Sequence, residues 1–119
     1  MKACMRIICV MIILCMARNV YSADSLGSYE VFGGGLDTCK VYLRLRSGSP
    51  EGLRYTMWTA GYLTAANRYI PGIYNIAGQV GLVHIFELIT DYCTKHESVL
   101  YTYAVATVLD TYYMAPSSR

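Results

Sequence analysis

The sequence predicts a small all-α protein, a four-helix domain carrying one inter-helix disulfide, and three observations support that expectation. Apolar residues recur at helical spacing in four stretches after residue 37, and hydroxyl or proline residues stand where helices start. Cys39 and Cys93 fall at the start of the first stretch and the end of the third.

The chain opens with a secretory pattern. Lys2 and Arg6 give a positive start, Ile7 to Met16 an apolar run too short to cross a bilayer, and Val20-Tyr21-Ser22 a cleavage site. Residues 1–22 are expected to leave as a signal peptide and to take Cys4, Cys9 and Cys15 with them. Ile12-Ile13-Leu14-Cys15 is a weak lipoprotein box, lacking the small residue before the cysteine and the leucine three before it. The expected destination is the periplasm or the exterior, where thiol pairs oxidise.

Residues 23–37, with Gly27, Gly33, Gly34 and Gly35, read as an irregular arm. The triple glycine is not a phosphate loop, because Leu36-Asp37 follows where a lysine and a hydroxyl are needed. A helical domain is expected over 38–114 and a frayed end over 115–119. Its first helix starts with Asp37 or Thr38 as cap and runs to about Arg46, with Cys39, Tyr42 or Leu43 and Arg46 at helical spacing. Ser49-Pro50-Glu51 is a strong second start: hydroxyl cap, proline at the first helical position, and an acid at the positive end of the dipole.

That second helix is expected to end at Asn67 to Tyr69, before Pro71-Gly72, and to pack through Leu53, Met57, Ala60 or Gly61, Thr64 and Ala65, with Trp58 and Tyr62 adjoining. Gly61 and Ala65 on this face predict a close helix contact. The third helix has the cleanest stripe, Leu82, Ile85, Phe86, Ile89 and Cys93, with Glu87, Asp91 and Lys95 outside. Ser98 is the expected cap of a last helix whose inner face includes Tyr101, Ala104 or Val105, Val108 and Tyr112.

After residue 22, seven basic residues stand against eight acidic ones without a basic run, which disfavours nucleic acid. No stretch of 18 apolar residues follows the signal, so no membrane span is expected. Two cysteines at helix ends of an exported domain point to a structural disulfide, Cys39 to Cys93. The alternative is a metal site of Cys39, Cys93 and His96 with His84. His84 lies about two and a half helical turns before Cys93, too far for both to hold one ion on an unbroken helix.

Nothing in the motifs points to an enzyme or a cofactor. There is no Gly-x-Ser-x-Gly elbow, no His-Glu-x-x-His and no nucleotide loop, and Glu87 with Asp91 is an ordinary acid pair on a solvated helix face. Twelve tyrosines against two phenylalanines and one tryptophan are unusual, and tyrosine is an effective anchor at protein interfaces. Many of these rings are also expected in the core. Tyr69, Tyr74, Tyr112 and Tyr113, beside loops or the terminus, are the candidates for an exposed partner-binding set.

Thr38-Cys39-Lys40-Val41-Tyr42-Leu43, the helix from Trp58 to Asn67, and Ile85 to Cys93 followed by a last amphipathic helix together resemble small periplasmic HdeA-like proteins. The same span, about Thr38 to Tyr113, is similar to helical immunity proteins of the Tai type, which protect bacteria from type VI secretion amidase toxins. The resemblance implies a compact all-α domain with one inter-helix disulfide that binds another protein, a toxin or a client, with a homodimer allowed. It implies no catalytic residues. The two branches differ in mechanism, since an acid-activated chaperone opens at low pH and an immunity protein presents a rigid surface.

Overall fold

The computed structural model describes residues 28–113, and its helices all lie in the unit Val31–Arg119, one of two into which the chain divides. The expected signal peptide, residues 23–27 of the arm and the tail beyond 113 fall outside the described residues. The domain is all-helical. Four α-helices follow a short 3-10 helix, Gly33–Leu36: α1 (Cys39–Leu45), α2 (Pro50–Tyr69), α3 (Gly81–Lys95) and α4 (Tyr101–Tyr112).

Local signals start α1 and α2. Thr38 Oγ1 accepts from the Val41 amide (3.4 Å), and Ser49 Oγ accepts from Gly52 N (3.2 Å) while donating to Leu45 O (2.9 Å). Ser49 therefore closes α1 and opens α2 with one hydroxyl. Gly52 makes the tight corner possible, because a Cβ there would sit 2.8 Å from the Leu45 carbonyl oxygen.

The start of α4 is set by tertiary contacts, and here the expectation from Ser98 fails. Leu100 is the N-cap residue and makes no side-chain cap bond. Asp37 O instead accepts from Tyr101 N (2.7 Å), while Val99 O and Glu97 O accept from Cys39 N (2.8 Å) and Lys40 N (2.9 Å). Each helix start satisfies its free amides on the backbone leading into the other. The Cys39–Cys93 disulfide, with Cα atoms 4.9 Å apart, ties the end of α3 to the same junction.

The core lies between α3 and α4, where Ile85 and Ile89 meet the side of α4 bearing Ala104, Val105, Val108 and Leu109. Ile76 and Ala77 of the loop between α2 and α3 are buried in the same cluster. Leu82 and Tyr112, both expected on inner faces, are exposed; Leu109 takes the inner position, one helical turn before Tyr113. Tyrosines build the other half of the interior. Tyr42, Tyr55 and Tyr101 are buried with ring centroids 5.2, 4.6 and 5.1 Å apart, and Trp58 meets Tyr101 at 5.8 Å.

These rings explain why α2 is rotated from the expected orientation. It buries Gly52, Tyr55, Thr59 and Leu63, leaving Leu53 and Met57 in solvent and no heavy atom within 4 Å of a Cβ built on Gly61. Among the described residues the small Gly61 and Ala65 face makes no close helix contact. Burial of two hydroxyls on α2 is tolerated because both are bonded: Thr59 Oγ1 pairs with Tyr101 OH (2.8 Å), and Tyr55 OH donates to Asp37 Oδ2 (2.8 Å).

The expected irregular arm also ends earlier than residue 37. Gly33–Leu36 packs on α2 and α4 because Gly35 lets the Trp58 indole lie against the backbone, and Trp58 Nε1 donates to Phe32 O (2.6 Å).

Candidate functional site

The described surface contains a cleft of about 620 Å³ framed by α1, α2 and α3. Its floor is the tyrosine cluster. Tyr42 OH and Thr90 Oγ1 are hydrogen-bonded at 2.9 Å, linking α1 to α3, and Tyr55 packs edge-on against Tyr42. Burial pushes the Tyr42, Tyr55 and Tyr101 hydroxyls above the usual phenol range, so all three are neutral donors or acceptors at physiological pH.

The rim combines apolar surface with charge of both signs. Val83 and half-buried Phe86 form an apolar section on α3, Thr56 and Gly52 line the α2 side, and exposed Arg46 ends α1. Glu87 and Asp91 stand one turn apart on α3, as the helical spacing predicts, and both line the cleft. Glu87 Oε2 lies 3.2 Å from His84 Nδ1, and Lys95 Nζ donates to Asp91 Oδ2 at 2.7 Å, which raises the lysine pKa. An opening with a rigid polar floor, an aromatic edge and opposed charges can receive a projecting peptide segment.

A second polar centre holds the scaffold together. Asp37 Oδ2 accepts from Tyr55 OH and pairs with Arg54, while the Asp37 backbone carbonyl caps α4. Arg54 Nη2 also donates to Tyr55 OH (3.1 Å). The sequence reading assigned Asp37 only a possible cap; its side chain instead joins the segment before α1 to α2.

The expected partner-binding tyrosines separate in the structure. Tyr69, Tyr74 and Tyr112 are exposed, at the end of α2, in the following loop and at the end of α4. Tyr113 is not an exposed anchor: it is half-buried against the core, and burial raises its hydroxyl pKa. None of the four lines the cleft. Tyr42, Arg46, Phe86 and Thr90, which do, were missed as site residues because only the fold places α1 beside α3.

Cys39 and Cys93 are joined to each other, which removes them as metal ligands. Among the described residues no cluster of three or more His, Cys, Asp or Glu could hold a metal ion, and no helix is long and apolar enough to cross a membrane. His96 stacks on Tyr92 with centroids 4.4 Å apart. No family model, no curated protein and no solved structure matches this chain.

Proposed function

We propose that this is a non-enzymatic, exported protein-binding module that receives a projecting segment of its partner in the cleft between α1, α2 and α3, with neutralisation of a secreted toxin as the specific role. The observation that carries the reading is the cleft itself. Its floor is fixed by bonded tyrosines and its rim offers Phe86 and Val83 beside Arg46, Glu87 and Asp91. A rigid aromatic anchor within a ring of polar groups is the usual make-up of an interface centre. The disulfide supports export, since such bridges persist in oxidising compartments.

The second reading, an acid or stress chaperone of the periplasm, is favoured by the exposed Leu53, Met57 and Val83, which offer apolar surface to unfolded clients. Acid opening requires carboxylates whose protonation removes native contacts. Among the described carboxylates only Asp37 is not fully on the surface, and it is the one bonded to another helix. Near-ultraviolet dichroism from neutral pH to about pH 3, with an acid-labile client present, separates the readings. Retained tertiary signal without client protection supports the rigid binding module; loss of that signal with retained helix and strong protection establishes the chaperone.

The partner test places a photo-crosslinking residue at Phe86 and, as a control, at Tyr103, exposed on α4, in cells exporting the protein. One discrete crosslinked protein at position 86 and none at 103 is the expected result. The same products at both positions would refute a role for the cleft.

A further inference from the structure

The charged residues that line the cleft differ in what already stands beside them. On α3, Glu87 Oε2 lies 3.2 Å from His84 Nδ1 and Asp91 Oδ2 accepts from Lys95 Nζ at 2.7 Å, so each acid has a nitrogen group next to it, supplied by a residue that does not line the cleft. Arg46 has none. It ends α1 and lines the same cleft, yet among the described residues it makes no ion pair and no side-chain hydrogen bond.

The backbone beneath this guanidinium is fixed. Arg46 N donates to Tyr42 O at 2.9 Å, and Gly52 of α2 packs so close that a Cβ there would lie 3.0 Å from Arg46 O. Thr56 lines the cleft one turn further along α2, and its hydroxyl makes no hydrogen bond among the described residues. The charge of Arg46 also reaches the floor. Burial raises the Tyr42 hydroxyl pKa, and the Thr90 hydrogen bond and the Arg46 charge both act against that rise.

A partner segment that covers the cleft strips water from Arg46, and a desolvated cation without a counter-charge costs far more than an unpaired neutral group. The counter-charge therefore has to come from the segment. Guanidinium groups recognise planar oxyanions through paired N–H donors. A doubly charged phosphate would be repelled by Glu87 and Asp91 on the same lining, whereas a single carboxylate balances Arg46 and leaves both acids with the partners they have. Beside these charges, exposed Val83 and half-buried Phe86 offer apolar surface for one neighbouring side chain.

We propose that the cleft selects a partner segment in which an aspartate or glutamate adjoins an aromatic or aliphatic residue, its carboxylate paired with Arg46 and its apolar neighbour packed on Phe86 and Val83. Thr56 is available to the carboxylate as a further donor. The inference rests on the cleft being the protein-binding site and names the chemistry that this site reads. Arg46 determines specificity, while Phe86 supplies contact area that does not discriminate among charges.

The test titrates the isotope-labelled exported chain with three end-blocked peptides, Gly-Phe-Asp-Gly, Gly-Phe-Asn-Gly and Gly-Phe-Lys-Gly, and follows the amide chemical shifts. The aspartate peptide should shift Arg46, Phe86 and Thr90 and bind about fivefold more tightly than either of the others. Arg46→Gln should make the aspartate and asparagine peptides equal, Arg46→Lys should keep part of the preference, and Phe86→Ala should weaken all three alike. An asparagine or lysine peptide that binds as tightly as the aspartate one to the wild type, or an aspartate preference that survives Arg46→Gln, would overturn the proposal and leave the cleft as a binding site. No cleft shift with any peptide up to about 10 mM would overturn it too, and the crosslink at position 86 then decides the cleft reading separately.

Discussion

Gly35→Ala isolates the contact that converts the expected arm into part of the domain. A Cβ at Gly35 would lie 2.3 Å from Trp58 Cζ2, 2.7 Å from Cε2 and 2.8 Å from Val31 Cγ1. Carbon atoms rest at about 3.5–4.0 Å, so the indole has to move by more than about 1 Å. It is not free to do so: its Nε1 is bonded to Phe32 O, and the ring packs on Tyr62 and Tyr101 at centroid distances of 5.4 and 5.8 Å. Overpacking costs about 1–3 kcal/mol and loss of the indole hydrogen bond about 1 kcal/mol more, for a total of roughly 2–4 kcal/mol. Gly35 does not have a positive φ, so the cost is steric. In a domain of this size such a loss lowers Tm by at least about 8 °C. Thermal unfolding followed by far-ultraviolet dichroism measures the loss, and emission from Trp58, the only tryptophan, reports the displaced ring. As a control, Gly61→Ala, with open space around it on α2, should stabilise by about 0.5–1 kcal/mol. An unchanged Tm and an unshifted emission spectrum for Gly35→Ala would refute the packing argument.

Three further outcomes follow from the same interior. Burial raises the Tyr101 and Tyr42 pKa values, so the unfolded chain releases these protons near pH 10 while the folded one keeps them. Their contribution is intact below pH 10 and declines as pH rises, by up to about 1.4 kcal/mol per pH unit for Tyr101 alone; ultraviolet phenolate titration should show these tyrosines ionising only as the protein unfolds. Replacing Cys39 and Cys93 by serine opens a loop of 54 residues and should cost about 4 kcal/mol in denaturant unfolding, while intact mass of the wild type should show no free thiol at either position. Thr102 Oγ1 is buried without a hydrogen-bond partner among the described residues, so Thr102→Val should be neutral or stabilise by about 1 kcal/mol; a clear fall in denaturation midpoint would show that the hydroxyl is satisfied.

What the sequence made legible was local. Thr38 and Ser49-Pro50 mark their helix starts because a cap acts within three residues, and Ile85, Ile89 and Cys93 lie inside because their period matches a helix. The orientation of α2 was not legible, since mildly apolar residues surround it and small Gly61 and Ala65 suggest packing as readily as Tyr55 and Thr59 suggest exposure. The decision rests on Tyr101 and Asp37, 42 and 18 residues away, which satisfy the Thr59 and Tyr55 hydroxyls. The start of α4 was hidden for the same reason, its first amide being capped by the distant Asp37 carbonyl. Glu87 and Asp91 could be read as an outer face, but their meeting with Arg46 and Tyr42 across the cleft depends on how α1 crosses α3.

The cleft reading is tested most directly by calorimetric titration of the partner captured at position 86 into wild type, Phe86→Ala, Arg46→Glu and Met57→Ala. Phe86→Ala and Arg46→Glu should each weaken binding more than about tenfold with unchanged folding, as expected of anchors at an interface centre, and Met57→Ala, exposed on α2 and not lining the cleft, should leave it unchanged. Binding lost on Met57→Ala and retained by both cleft variants would contradict the account.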